Sequence, residues 1–343
     1  MQEVAWFFHN GRVPSCKDNM TITDVLESYK EDLKRVEEQV HANLESRAML
    51  VRQVGGYLLQ GGGKRIRPLL TMVSANLCGS AGPDAVHLAA TVEFIHTASL
   101  LHDDVVDGAD LRRGRPSANN LWGNQASILV GDYLYSKALY QAVRLEDQRV
   151  MDILSNTTRL MSEGEILQLL KLGDPEITEE EYLEVISAKT AALMSAACRL
   201  GAVLARLPEE KEEALAGFGM DIGFAFQLLD DALDYSADQA KLGKALGKDL
   251  EEGKLTLPLI HLIHTSKPEE ADRIKDVISG QFLKKDGLDF ILSLMRQYRS
   301  IEYAVDRAMG CIQSAKGRLT VFPPSPHKDA LFAVADYVVE REM

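Results

Sequence analysis

Two acidic segments are the first residues whose spacing suggests chemistry. The spacing i, i+1, i+4 occurs twice, in a first acidic triplet (Asp103, Asp104, Asp107) and a second acidic triplet (Asp230, Asp231, Asp234). On a helix with 3.6 residues per turn, these positions point to one side. Carboxylates crowded beside a cavity repel each other unless a cation neutralises them. Because oxygen ligands favour hard cations, the pattern predicts a Mg²⁺ site.

A solvated acidic helix end is the alternative for either triplet taken alone. Both triplets, however, close an apolar run, in "FIHTASLLHDD" and "FAFQLLDD". An EF-hand is excluded because its alternating D-x-[DN]-x-[DN]-G pattern is absent. The repetition therefore favours metal binding by both segments.

Basic residues next to glycines and acids suggest anion binding. The stretch "GGGKRIRP" contains Lys64, Arg65 and Arg67, and Arg112 and Arg113 follow the first acidic triplet. It is not a Walker loop, since GxxxxGK[ST] is not met. Exposed basic residues after a helix terminator are the alternative interpretation. Arginine pairs bidentately with phosphate, so we expect these groups to hold a phosphorylated ligand.

Four further polar positions lie near these groups in the sequence. His96 precedes Asp103 by seven residues, which places both on one helical face. Lys189 and Thr190 lie within a run of small apolar residues, where a lysine either snorkels or meets an anion. In the loop after Asp234, Lys244 is expected to close over a phosphate. Lys248 is expected to do the same. Lys241 and Lys254 are expected to be solvated, and His102 is expected to have only a structural role.

The elements that position these residues are predicted to be helices. About a dozen helical stretches are separated by prolines, Pro68 among them, and by capping pairs such as Thr178 with Glu181, Ser266 with Glu269, and Ser325 with Pro326. Strand signals are nearly absent. We therefore predict an all-α protein with a poorly defined segment over 1–19 and one helical domain over 20–343.

Composition limits the class of protein. The net charge of −13 argues against general binding to nucleic acid or anionic lipid. The four cysteines form no CxxC pair, which is typical of a reducing compartment. We expect no signal peptide and no transmembrane segment, and a cytoplasmic location.

Six sequence segments, in this order, carry a resemblance to a known family. They are "GGGKRIRP", "EFIHTASLLHDDVVDGADLRRGRP", "EGEILQL", "KTAAL", "FQLLDDALD" and "GKDLEEGKLTLPLI", the second of which holds both acidic and basic groups. From about residue 45 to 342 the chain resembles the trans-polyprenyl diphosphate synthases, in particular the long-chain octaprenyl and heptaprenyl type. The resemblance implies an isoprenoid synthase fold, a helical bundle around a central cavity, and a homodimer.

The resemblance also implies a role for each matching residue. Isopentenyl diphosphate is expected at Lys64, Arg67, His96 and Arg113, and the allylic diphosphate at Arg112, Lys189, Thr190, Gln227 and Lys244. Asp103, Asp107 and Asp230 are expected to ligate about three Mg²⁺ ions. Both acidic triplets, with Arg112 and Lys189, are expected to be catalytic.

Other functions remain as alternatives. A terpene cyclase is disfavoured because its second motif has the form N-D-x-x-S-x-x-x-E. A metal-buffering protein would not need the arginines. A non-catalytic subunit of a heteromeric synthase would be expected to have degenerate acidic or basic motifs, whereas all of them are intact here. A short-chain farnesyl or geranylgeranyl diphosphate synthase differs in product length alone.

Small residues before the first acidic triplet predict a long product. Ser99 and Ala98 occupy positions where short-chain members of the resembled family carry a bulky aromatic. From Ala98 back to Asp84 a helix extends about 21 Å, and an isoprene unit measures roughly 4–5 Å. About four or five units then fit beyond a C15 chain, giving about C35–C40, unless Ile95 or Leu88 narrows the path sooner.

Overall fold

The chain is helical throughout its described part. The computed structural model describes residues 20–61, 65–236, 247–280 and 285–340. The α-helices in chain order are α1 (Ile22–Ser28), α2 (Lys30–Asn43), α3 (Met49–Gln60), α4 (Ile66–Leu77), α5 (Pro83–Val106), α6 (Ala118–Trp122), α7 (Asn124–Val143), α8 (Gln148–Leu170), α9 (Glu179–Ile186), α10 (Ala192–Leu204), α11 (Glu209–Asp234), α12 (Lys248–Glu251), α13 (Leu257–Thr265), α14 (Pro268–Ile278), α15 (Lys285–Tyr298), α16 (Ser300–Arg318) and α17 (Pro326–Glu340). A π-helical turn spans Ser187–Ala191, a 3₁₀ turn spans Leu319–Val321, and strands β1 (Leu111–Arg112) and β2 (Arg115–Pro116) form one small hairpin.

One apolar core holds the helices together. It extends from Val25 on α1 to Val338 on α17. Helix α11 packs along α10 and α16, and α5 packs along α4 and α7. Because α5 and α10 are apolar around most of their circumference, they lie in the interior, as fully apolar helices must.

Both acidic triplets lie at the C-terminal ends of long helices. Asp107 is the residue after α5, and Asp234 is the last residue of α11. A helix C-terminus carries partial negative charge, so carboxylates there are destabilising by up to about 1 kcal/mol each when exposed. The arrangement therefore favours a bound cation at each end.

The predicted fold class is confirmed, and local predictions were right in part. Thr178 accepts from the Glu181 N–H at 3.2 Å, and Ser325 caps α17 by accepting from the Lys328 N–H at 3.2 Å. The Ser266–Glu269 box was wrong by one residue, because proline at the first position of α14 makes Lys267 the N-cap.

Two further differences concern breaks between helices. Pro68 lies inside the first turn of α4 and not between helices. Its missing N–H has no cost there, because N–H groups of the first turn have no partner within the helix. The β1–β2 hairpin has strands too short for any pattern to reveal. Among the described helices, none is both long and apolar enough to cross a bilayer. The boundary between 1–19 and the helical domain stays a prediction.

Candidate active site

Asp103 lies in an electrostatically demanding position at the end of α5. Burial raises the pKa of its carboxyl to about 7, and the nearby Glu165 carboxylate adds to the rise, while Lys189 opposes it. Glu165 lies on α8 and accepts from the Lys189 Nζ at 2.9 Å. The carboxylates around Asp103 are therefore not fully neutralised by the side chains next to them.

Asp104 points away from solvent and towards Arg112. Its side chain is fully buried and accepts from Arg112 Nε at 2.6 Å. Burial raises the pKa of this carboxyl, and the guanidinium opposes that rise. Although the spacing alone put all three acids on one side, the structure uses Asp104 to hold Arg112 in place.

The hairpin after α5 presents the two arginines. Arg113 and Gly114 have φ values of +52° and +73°, as a type I′ turn requires at both central positions. Arg112 pairs with Arg115 across the strands. The turn therefore places consecutive guanidinium groups beside the first acidic triplet.

The second acidic triplet repeats this division between inward and outward acids. Asp230 is exposed, whereas Asp231 is buried and accepts from Tyr182 Oη at 2.5 Å and Gln227 Nε2 at 2.8 Å. Asp234 accepts from the Asp249 N–H at 3.0 Å. The middle acid of each triplet thus orients a neighbour, while the outer acids lie nearer solvent.

A chain of hydrogen bonds connects the π-helical turn to the second acidic triplet. Thr190 Oγ1 donates to Gln227 Oε1 at 2.9 Å, which turns the amide Nε2 towards Asp231. Tyr182 completes the chain from α9. A carboxylate that accepts from both sides fixes the amide orientation, and with it the direction of the Thr190 hydroxyl.

Two glycines allow the π-helical turn to lie close to its neighbours. A Cβ on Gly164 of α8 would lie 2.7 Å from the Lys189 backbone N, and one on Gly223 of α11 would lie 2.4 Å from Ala191 Cα. Single π turns are frequent at functional sites. Here the turn aims Lys189 and Thr190 at the space between the triplets.

Arg67 on α4 and His96 on α5 form the core of a second polar group. Arg67 Nη1 donates to His96 Nε2 at 3.2 Å. Since a guanidinium only donates, His96 is neutral with its proton on Nδ1. Burial lowers its pKa, and the charges of Arg67 and Arg113 lower it further. Neighbouring Arg65 is held by the buried Glu93 and by the Leu59 carbonyl at 2.5 Å.

Lys254 was expected to be solvated, and this was wrong. Its side chain is 17% exposed and lies 3.1 Å from Asp107 and 2.7 Å from Glu252. These contacts raise the pKa of its ammonium despite burial. The alternation of glycine and lysine in this loop gave no sign of the pairing, because the partner lies on a distant helix.

The segment around Lys254 connects the two acidic triplets. Lys254 donates its backbone N–H to the Asp249 carbonyl at 2.7 Å, and the Asp249 N–H bonds to Asp234. Since Lys254 also contacts Asp107, one short segment links the ends of α5 and α11. The cleft beside it is lined by residues that include Lys189, Thr190, Gln227, Asp231 and Lys254.

Comparison with known proteins identifies the chain. The Polyprenyl synthetase family profile matches residues 48–295. This chain belongs to that family. The octaprenyl diphosphate synthase of Haemophilus influenzae is 42% identical, over 95% of this chain and 98% of its own. The protein is accordingly a polyprenyl diphosphate synthase, a transferase, with an isoprenoid synthase fold.

Solved structures of relatives agree in fold. A decaprenyl diphosphate synthase from Rhodobacter capsulatus is 40% identical with a TM-score of 0.90, covering 94% of this chain and 99% of its own. A polyprenyl synthase from Caulobacter crescentus, complexed with calcium and isoprenyl diphosphate, is 37% identical with a TM-score of 0.87, covering 96% and 100%.

The structure of the synthase brings together most of the predicted site residues. Lys64 and Lys244 lie outside the described residues. Ala98 is fully buried and Ser99 is half-buried on α5, both a little over one turn before the first acidic triplet, and neither lines the cleft. Among described residues, no three acids, histidines or cysteines are already gathered as a metal site.

Sequence reasoning missed four polar residues of the synthase site. Glu165, Tyr182, Asp249 and Lys254 contact predicted residues from other elements. Glu165 lies in the "EGEILQL" motif and Asp249 in "GKDLEEGKLTLPLI", so the motifs contained a signal for them. No motif contained a signal for Tyr182, because its role depends on a hydrogen bond to Asp231, which lies 49 residues away in the sequence.

Asp249 predicts a pH dependence of stability. Burial and the nearby carboxylates of Asp231 and Asp234 raise the pKa of Asp249 to about 8. A carboxyl with a raised folded pKa stabilises the fold when protonated. This contribution is lost as pH rises from its unfolded pKa of about 4 to about 8.

We therefore expect Asp249→Asn to stabilise the metal-free synthase progressively over that pH range. The gain at pH about 8 should be on the order of 1–3 kcal/mol, with little change at pH about 4. Thermal unfolding in chelator measures the effect, with Asp110→Asn, an exposed position nearby, as control. An equal effect at all pH values, or destabilisation at high pH, would contradict the expectation.

Proposed function

We propose that the synthase elongates an allylic diphosphate with isopentenyl diphosphate to an all-trans product of about C40. The observation that carries the site assignment is a cleft lined by Lys189, Thr190, Gln227 and Asp231. Lys254 lines the same cleft and contacts Asp107 of the first acidic triplet. The length lies at the upper end of the C35–C40 range expected from the sequence. Octaprenyl and decaprenyl diphosphate synthases among the relatives support a long product over a short one.

The two substrates are proposed to bind on different sides. The allylic diphosphate would contact Arg112, Lys189, Thr190, Gln227 and Lys244, next to the acidic triplets. Isopentenyl diphosphate would bind at Lys64, Arg67, His96 and Arg113. The Arg67–His96 contact supports this, because it brings two of these residues together and a neutral imidazole adds no negative charge that would repel an anion.

The residues present fit Mg²⁺. Asp103, Asp107 and Asp230 would hold about three ions together with diphosphate oxygens, since Mg²⁺ typically takes only one or two protein carboxylates and keeps its other ligands from water and phosphate. The raised pKa of Asp103 and the ammonium beside Asp107 indicate carboxylates that require a cation. Calcium in the Caulobacter relative's structure is a hard cation of the same class.

The chemistry is ionisation followed by alkylation. When bound, Mg²⁺ neutralises charge that develops on the leaving diphosphate as the allylic C–O bond breaks. Arg112 and Lys189 donate to the same oxygens from fixed positions, Arg112 held by Asp104 and Lys189 by Glu165. The isopentenyl double bond then attacks the allylic cation. We propose that the departing diphosphate accepts the proton, since it stays beside the new cation in a cavity that excludes water.

Incubation of the purified chain with labelled isopentenyl diphosphate, farnesyl diphosphate and Mg²⁺ tests the proposal. We expect a ladder of intermediates that ends at about C40. Incorporation only after addition of a second protein would favour the heteromeric-subunit alternative. A product that stops at C15 or C20 would favour the short-chain alternative.

The basic residues predict separable effects on the two substrates. Arg67→Ala should raise the KM for isopentenyl diphosphate by roughly tenfold or more, because a charge-assisted bidentate contact is lost. Arg112→Ala should mainly raise the KM for the allylic substrate. Lys64→Ala should resemble Arg67→Ala. Steady-state kinetics with each substrate varied in turn measures the division, and equal losses towards both substrates in every variant would refute it.

We further propose that the synthase is a homodimer that pairs through α7. Leu129, Tyr140 and Val143 lie along one side of this helix and are exposed by 64%, 57% and 55%. Such an apolar stripe on an otherwise amphipathic surface typically marks an interface. A second copy is the occupant that the family resemblance implies. The cytoplasmic location also stays a prediction.

Charge on this stripe should separate the subunits. We expect the double variant Leu129→Glu, Tyr140→Glu to elute as a monomer, because burying two carboxylates without partners is costly. Light scattering after gel filtration measures the mass. Met49→Glu, which alters a similarly exposed residue (62%) on α3, is the control. A wild type that is monomeric, or a double variant that remains dimeric, would contradict the interface.

A further inference from the structure

Lys254 joins the ends of the two acid-bearing helices through a single ammonium. Its backbone belongs to the segment that follows α12, whereas its Nζ reaches Asp107 after α5 at 3.1 Å. A second bond of 2.7 Å to Glu252 holds the ammonium from its own side. At 17% exposure the pair is shielded more than a typical surface ion pair.

The backbone around Lys254 is itself fastened to the second acidic triplet. The Gly247 N–H donates to the Asp234 carbonyl at 2.9 Å, and the Asp249 N–H donates to the Asp234 carboxylate at 3.0 Å. On the other side the Gly253 carbonyl accepts from the Gly173 N–H at 2.8 Å. The Asp107 contact therefore ties an anchored segment to the end of α5.

An ammonium and a divalent ion compete for the same carboxylate. Asp107 is proposed above as a metal ligand, and this inference rests on that proposal. A cation approaching Asp107 meets a positive charge already hydrogen-bonded to it. Binding then requires either displacement of Lys254 or coexistence of like charges a few ångströms apart, which is unfavourable.

The position of Lys254 also determines where a displaced ammonium would go. Lys254 lines the same cleft as Lys189, Thr190 and Gln227. A diphosphate in that cleft would present oxygens within reach of a flexible four-carbon side chain, whose ammonium is a mobile point charge. The displaced group would thus exchange a carboxylate for a phosphate oxygen.

We propose that Lys254 is a placeholder cation. It neutralises Asp107 in the metal-free synthase, opposes metal binding while the diphosphate is absent, and turns to the diphosphate once a divalent ion takes Asp107. Metal and diphosphate then bind cooperatively, because each removes an obstacle to the other. Lys254 is a positioning residue in this scheme, and it makes or breaks no bond of the substrate.

Binding of Mn²⁺ to the full chain at pH about 8 tests the proposal without turnover. Electron paramagnetic resonance counts free Mn²⁺, first alone and then with inorganic pyrophosphate. For Lys254→Met we expect Mn²⁺ alone to bind about fivefold to tenfold more tightly than to wild type. With pyrophosphate present we expect the same variant to bind Mn²⁺ more weakly than wild type.

Controls separate this inference from the site assignment. Lys316→Met alters a half-buried lysine that pairs with Asp336 and does not line the cleft, and it should leave Mn²⁺ binding unchanged. In an Asp107→Asn background the Lys254→Met gain should vanish. Lys254→Gln is a second neutral variant should the methionine form fold poorly.

The outcomes are distinguishable. Unchanged or weaker binding of Mn²⁺ alone to both neutral variants overturns the placeholder role, as does a change of the same direction in both arms. Failure of wild type to bind Mn²⁺ even with pyrophosphate overturns the proposed metal site itself. The crossing pattern, tighter alone and weaker with pyrophosphate, supports both.

Discussion

Asp103→Ala and Asp230→Ala are each expected to reduce kcat by roughly 10³-fold or more while the fold is retained. Asp103 is half-buried and Asp230 is exposed, in contrast to the buried Asp104 and Asp231. Removing either deletes a ligand for the cation that neutralises the leaving diphosphate. The substitutions should not unfold the chain, because they also remove negative charge from a helix C-terminus.

Incorporation of labelled isopentenyl diphosphate at saturating substrate measures the loss. Asp110→Ala, an exposed acid shortly after the first acidic triplet, is the matched control and should keep near wild-type activity. Chelation should inactivate the wild type, and added Mg²⁺ should restore it. Near-normal turnover of either variant in Mg²⁺ would remove the basis of the metal assignment.

The positions of the acidic triplets were predictable because helical periodicity is a local property. An apolar run followed by i, i+1, i+4 acids predicts a helix that ends there, and α5 and α11 do end at those acids. Periodicity gives direction relative to the helix's own axis. It does not reveal neighbours, so the inward orientation of Asp104 and Asp231, each towards a donor on another element, could not be read from spacing.

The π-helical turn at Lys189 is a second feature that depends on contacts between distant elements and not on the local sequence. The sequence around it, rich in alanine, is that of an ordinary helix. The irregular turn coincides with the close approach of Gly164 and Gly223 from two separate helices. Local propensity cannot anticipate such a contact. The charge of Lys189 and the family resemblance therefore predicted a role for this lysine, whereas its partner Glu165 was missed.

The division of labour within each acidic triplet links the fold to the proposed reaction. The middle acids bind protein donors and thereby fix Arg112 and Gln227. Asp103 stays incompletely compensated, as its raised pKa indicates. A site built this way is stable enough to fold yet retains affinity for cations. This is the electrostatic preorganisation that ionisation of an allylic diphosphate requires.

The length of α5 underlies the expectation of a shorter product from Ala98→Phe. Helix α5 is continuous from Pro83 to Val106, so the path from Ala98 back to Asp84 extends about 21 Å along one straight element. A phenylalanine one to two turns before Asp103 would block a chain that grows along this helix. We expect the main product to fall from about C40 to about C15–C20, with the first condensation unaffected.

Chromatography of the dephosphorylated products measures the change, and the controls follow from the burial of each position. Ala98 is fully buried, so its phenylalanine variant risks overpacking. Ser99→Phe, at a half-buried position on the Asp103 face, places a second blocking side chain in the same path with less strain. Val106→Phe adds an aromatic at a 64% exposed site on the same helix and should leave length unchanged. If Ala98→Phe and Ser99→Phe both fold, remain active and still release a product of about C40, the growing chain does not run along α5.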